Sequence, residues 1–288
     1  MKCITSLDLA TVANLYAQLS GVLAGFALTA VFIVVSHFLG GAPPTGRREE
    51  ALNKAVPVLL SALVGLIFTS FTYCLAAADG KDTGRALVEH LTAGVGFSVS
   101  GALLIFATVL LLESVLTHAA VDHGRRLLGL CAPLPMFALL CNGVYAYGKA
   151  YYGAVPGWLG LLIASLLLLL LGMSVVGYAA YRLPGLDRVR LEGDRVTRWI
   201  AGGGLSVVVA CALLVSCTVA LGGDDCPVPI TVVVAVMVAG FLATVSLSVC
   251  LFLSRPPRPV TPVPAQVPAP PANPAIGPAA SGQQGPET

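Results

Sequence analysis

An all-α fold, a polytopic bundle of seven transmembrane helices with its N-terminus outside and its C-terminus in the cytoplasm, is what this sequence predicts. Three observations carry that expectation. Seven runs of about 20 or more residues are almost free of charge, each long enough to cross a hydrocarbon core roughly 30 Å thick as a helix. The 288-residue chain is 57% hydrophobic and 10% charged, whereas soluble domains carry about 25% charged residues. Its basic residues also fall on alternate connections in a lopsided way, which sets the orientation.

The runs are expected at residues 13–38, 55–78, 91–116, 127–148, 157–181, 199–222 and 229–253. They must be helices. Hydrocarbon offers no water to satisfy an open strand edge, and the alternation of a membrane barrel strand is absent from Leu166 to Leu171.

The first run follows a segment with one basic residue, Lys2, and it is longer than the roughly 7 to 15 residues of a signal-peptide core, so it reads as a retained span. Cys3 sits in no lipobox-like context. Small residues four apart, Gly21 with Gly25, Gly94 with Ser98 and Ala235 with Ala239, are candidates for close helix approach. Gln18 in the first span, Ser98 and Ser100 in the third, Glu113 at the end of the third and Asn142 in the fourth are the candidate polar contacts within the membrane. Glu113 is read as the only carboxylate in a span, one turn from the cytoplasmic end, where its head can reach water. Pro133 and Pro135 predict a kink or an irregular first turn in the fourth span.

Orientation follows from the 16 Lys and Arg. Arg47, Arg48, Lys54, Arg125, Arg126, Arg182, Arg188, Arg190, Arg195, Arg198, Arg255 and Arg258 fall on one side, twelve in all. Lys2, Lys81, Arg85 and Lys149 fall on the other. Positive charge is retained in the cytoplasm during insertion, so the richer side is inside. Aromatic anchors are expected at an outer interface around Tyr145, Tyr147, Tyr151, Tyr152 and Trp158, and at an inner one around Tyr178, Tyr181 and Trp199.

The connection between spans five and six alternates from Arg188 to Leu191 before Glu192, Gly193 and Asp194, which suggests a small hairpin. After Ser254 the composition changes to a segment holding eleven of the chain's 20 prolines. Residues 255–288 therefore read as a disordered cytoplasmic tail beyond a 1–254 membrane domain, with PxxP spacing at Pro256 to Pro259 and Pro268 to Pro271.

Of the eight cysteines, Cys74, Cys131, Cys141, Cys211, Cys217 and Cys250 lie in spans and behave as small apolar residues. Cys3 and Cys226 fall on the outer side and form a candidate disulfide pair. The four histidines, His37, His90, His118 and His123, lie near interfaces. No Cys/His cluster has metal-ligand spacing, residues 229–253 hold no lysine for a retinal Schiff base, and no span interior supplies a histidine to Ser98 or Ser100. No catalytic chemistry, cofactor or metal is therefore expected.

A net charge of +2 gives no general attraction to nucleic acid. The expected partners are the lipid bilayer, a protein engaged by the cytoplasmic loops or the Pro-rich tail, and a further copy of the chain. Twelve Arg against four Lys, with abundant Ala, Gly, Leu and Val, point to a GC-rich bacterial genome and hence to a bacterial plasma membrane. The expected function is support of membrane assembly or signalling through helix packing and cytoplasmic loops; the alternative is a small-solute permease or channel.

Overall fold

The computed structural model of the chain describes residues 9–40, 47–78, 84–113, 123–124, 133–153, 157–182, 193–222 and 229–253. Seven helices account for nearly all of them: α1 (Leu9–Gly40), α2 (Arg47–Ala78), α3 (Gly84–Glu113), α4 (Pro133–Tyr152), α5 (Gly157–Arg182), α6 (Gly193–Gly222) and α7 (Ile230–Leu253). No strand occurs among the described residues. Four helices are long and apolar enough to cross a membrane, over Ala10–Ser36, Ala51–Ala78, Ala86–Leu112 and Ile230–Cys250. The other three carry shorter apolar stretches, Pro133–Gly143, Gly157–Gly172 and Trp199–Leu213. The chain divides into two units, Met1–Arg255 and Pro256–Thr288; the tail, with its expected disorder, lies outside the described residues.

Local chemistry explains where the helices begin and end. Pro133 and Pro135 fall in the first turn of α4 instead of bending its middle. A helix N-terminus has backbone N–H groups without carbonyl partners, so proline loses nothing there. The helix stops at Tyr152, and Gly153 follows with φ of 68°, a left-handed residue that glycine accepts without steric cost. At the head of α7 the Pro229 carbonyl accepts hydrogen bonds from the N–H groups of Val232 (2.9 Å) and Val233 (3.4 Å).

Two helices start earlier than hydropathy suggests. α2 begins at Arg47 instead of near residue 55, and α3 at Gly84 instead of near residue 91. Their first turns are polar and carry on the helix, because each added residue contributes one more backbone hydrogen bond once a helix is nucleated. Pro57 consequently sits inside α2. The hairpin fails for the same reason: α6 starts at Gly193, so Asp194 to Thr197 are helical, and residues 188–192 lie outside the described residues. Two short strands with no third neighbour are marginal in water, whereas extending the helix of the next span satisfies its backbone internally.

α3 is the centre of the bundle. It packs against α2, α6, α7 and α4, and 56% of its apolar span is buried, against 22% for α1. Its tightest neighbour is α2. Gly65 faces Ser100, and four residues along each helix Thr69 faces Gly96; a Cβ on Gly96 would lie 2.6 Å from the Thr69 hydroxyl oxygen, and one on Gly65 would strike the Ser100 side chain. Each helix thus offers a glycine opposite the hydroxyl residue of the other. Van der Waals contact between backbones drives helix association where lipid removes the hydrophobic incentive.

Of the small pairs expected from spacing, Gly94 is buried against Leu139 of α4, while Ser98 is half-buried. Ala235 and Ala239 are exposed on α7 and make no close helix approach. Around α3 the core is filled by side chains such as Leu59, Leu103, Phe106, Met136, Met237 and Phe241, all fully buried. Outward faces are equally apolar: Phe26, Phe32, Leu161, Leu168 and Val175 are each more than 60% exposed. Exposed side chains of this size, gathered on outward faces, mark surfaces that meet lipid or another protein.

Candidate functional site

Ionisable and aromatic side chains meet at the end of the bundle where α1 and α3 begin and α2 ends. Tyr16 of α1 stacks on Tyr73 of α2, ring centroids 5.4 Å apart and planes 18° apart. His90 of α3 stands edge-on to both, 5.3 Å from Tyr73 and 6.1 Å from Tyr16. Phe97 closes the group at 5.8 Å from Tyr16, also edge-on. Spacing along each helix brings them together. His90 and Phe97 are seven residues apart, two turns on one face of α3, and Ala13, Ala17, Ala76 and Ala93 leave room between the helices for the rings.

Tyr73 is 2% exposed, so its ring is a packed component of the bundle. Tyr16 is 39% exposed and forms the outer wall. The Nδ1 atom of His90 is buried without a hydrogen-bond partner among the described residues. Glu89, next to His90 and about 100° round the helix from it, is 7% exposed. The early start of α3 brings Glu89 into the apolar span Ala86–Leu112, which corrects the expectation that Glu113 is the only carboxylate in a span. Near the beginning of that span its burial comes from helix packing more than from depth. The hydroxyl of Ser70 lies one helical turn from Tyr73 on α2 and donates to the carbonyl of Ala17 in α1, at 2.9 Å.

This arrangement can hold three helix ends in register by ring packing and hydrogen bonding. Aromatic pairs of this geometry contribute about 0.5 to 1.5 kcal/mol each beyond their buried area. Among the described residues no group of three or more His, Cys, Asp or Glu could hold a metal ion.

The other residues singled out from sequence are dispersed. Gln18 on α1 and Asn142 on α4 are exposed, Ser98 is half-buried, and Ser100 is fully buried at the α2–α3 contact, its hydroxyl without a hydrogen-bond partner among the described residues. Glu113 is the last residue of α3, and its side chain lies outside the described residues, as do Cys3 and Cys226. Of the span cysteines, Cys74 and Cys217 are exposed, Cys141 and Cys250 half-buried and Cys211 buried, all as free thiols. Among the aromatic anchors Tyr145, Trp158 and Trp199 are exposed, while Tyr147 is fully buried and packs in the core. Between α3 and α7 a cavity of about 10 Å³, lined by residues that include Leu91, Thr92, Val233 and Met237, has room for about one water.

The hydroxyls within the helices are mostly satisfied by their own backbone. Thr69 donates to the Gly65 carbonyl (2.8 Å), Thr92 to Val88 (2.8 Å) and Ser248 to Thr244 (2.9 Å). Such bonds neutralise a polar group without opening a route for solute.

Sequence reasoning placed His90 near an interface and did not single out Tyr16, Tyr73, Phe97 or Glu89. The signal available was the i, i+7 spacing of His90 and Phe97 on one span and the small residues around Tyr16; which helices meet is a tertiary fact. Compared with protein-family models, with curated proteins and with solved structures, the chain matches none.

Proposed function

We propose that this is a multi-pass protein of the plasma membrane, without catalytic chemistry of its own, that supports membrane assembly or signalling through helix packing and through its cytoplasmic loops and tail. All seven helices cross, the N-terminus is outside, and residues 255–288 lie in the cytoplasm. Support for seven crossings comes from length: α4, α5 and α6 have 20, 26 and 30 residues, enough at 1.5 Å per residue to span about 30 Å or more. Support for the orientation comes from the distribution of twelve basic residues against four.

One observation carries the functional reading over a permease. A solute route needs polar groups gathered along one path, and here Gln18 and Asn142 are exposed on different helices while Ser100 is sealed between α2 and α3. The centre is instead occupied by Leu, Val, Met and Phe side chains. Two measurements test the reading. The full chain in vesicles should give no uptake above protein-free vesicles across a panel of ions, sugars and amino acids. A partner retained with the purified chain should be lost when residues 255–288 are removed; saturable uptake, or a partner indifferent to that removal, overturns the respective part.

A further inference from the structure

Of the four long apolar helices the least buried, α1, carries two amides and two glycines on an exposed face. Asn14, Gln18, Gly21, Gly25 and Thr29 follow one another at intervals of four, three, four and four along α1, a spacing that keeps them on one face of a helix. All five are exposed. That face is centred about 90° round the helix from the buried Ala17 and Ala24, and at its edge a Cβ on Gly21 would lie 4.0 Å from the Ser70 hydroxyl oxygen of α2.

Depth makes the stripe unusual. The apolar span Ala10–Ser36 has its middle near residue 23, so Gln18 lies about 7 Å from the bilayer midplane at 1.5 Å per residue, well inside a hydrocarbon core of about 30 Å. Neither Gln18 nor Asn14 makes a side-chain hydrogen bond among the described residues. An amide that faces acyl chains forfeits the hydrogen bonds it would have in water, and a neighbouring helix is where it recovers them. Gly25 has no heavy atom within 4 Å of where its Cβ would stand, so a second helix can approach the backbone there. Thr29 donates its proton to the Gly25 carbonyl at 2.9 Å and therefore turns an acceptor oxygen outward.

We propose that this face of α1 is the contact through which two copies of the chain associate side by side in the membrane, Gln18 against Gln18. A second copy fits because an amide is its own complement: it donates through N–H and accepts through C=O, so a two-fold pair satisfies both. Every copy inserts with the same orientation, which puts each Gln18 at the same depth as its counterpart, and the glycines below let the backbones close. The inference rests on α1 lying in the bilayer and is independent of what the tail binds.

The test is energy transfer between full-length chains labelled at the N-terminus and reconstituted in vesicles, read across a series of protein-to-lipid ratios. Wild type should show saturable, dilution-dependent transfer that vanishes with excess unlabelled chain. Gln18→Leu and, separately, Gly25→Leu should weaken association about tenfold, Gln18→Asn should retain it, and Leu168→Ala, exposed on α5, should leave it unchanged. Because residues 18 and 25 are exposed, both variants should unfold at the wild-type midpoint in detergent, which separates loss of pairing from loss of fold. Transfer no greater than random at every ratio, or pairing indifferent to both leucine variants, overturns the proposal without touching the proposed role of the tail.

Discussion

At the scale of single residues, stability hangs on where one helix backbone touches another. Gly65 faces Ser100 with no room for a side chain, and Gly96 faces Thr69 likewise. Gly65→Val should therefore push α2 from α3 and lower stability by about 1 to 3 kcal/mol, the usual cost of overpacking, seen as a lower unfolding midpoint in detergent titrated with a denaturing surfactant. Ser100→Ala should act the other way. Its hydroxyl is buried without a partner among the described residues, and removing such a group raises stability by about 1 kcal/mol in the same measurement. Neither glycine stood out in the sequence: with 31 glycines in the chain, spacing singled out Gly21, Gly25 and Gly94, and only the meeting of two helices distinguishes Gly65 and Gly96 from the rest.

Among elements, α1 is joined to the bundle chiefly through α2, and the joint has a small-residue core with one aromatic group at its end. Tyr73→Ala should cost about 3 to 5 kcal/mol, the range for emptying a buried aromatic site, and should free α1 before the rest. Protease cleavage between α1 and α2 at surfactant concentrations that leave the other connections intact would report it. Ser70→Ala removes one interhelical hydrogen bond to the Ala17 carbonyl and should cost only about 0.6 kcal/mol, so loss of the α1 contact in that variant would show that the hydroxyl, not the ring, holds the joint. Helix existence was legible from sequence, since uninterrupted apolar runs permit nothing else in lipid. Helix starts were less so. The polar turns before Ala51 and Ala86 carry no hydropathy signal, and Glu89 was missed because it lies inside the span but ahead of residue 91, where the apolar run was expected to begin.

For the whole molecule, the division into Met1–Arg255 and Pro256–Thr288 leads to the prediction that the first unit folds without the second. Deleting residues 256–288 should leave the unfolding midpoint of the remainder unchanged within error; a drop would mean that the tail braces the helices. Reporter fusions check the threading: a domain active only outside should work at the N-terminus and one active only in the cytoplasm should work at the C-terminus, and activity of both in one compartment would require an even number of crossings.

By itself the sequence determined that the described residues are helical and that helices among them are apolar enough to cross a membrane, because hydropathy over 20 residues and the internal bonding of helices are local properties that need no partner. The tertiary structure decided which residues touch: that α3 is central, that Gly65 and Ser100 share one contact, that Tyr16, Tyr73 and His90 gather at one end, and that Gln18 looks outward. In lipid both faces of a helix are apolar, so no amphipathic stripe marks the inner side, and only packing between particular helices separates core from surface.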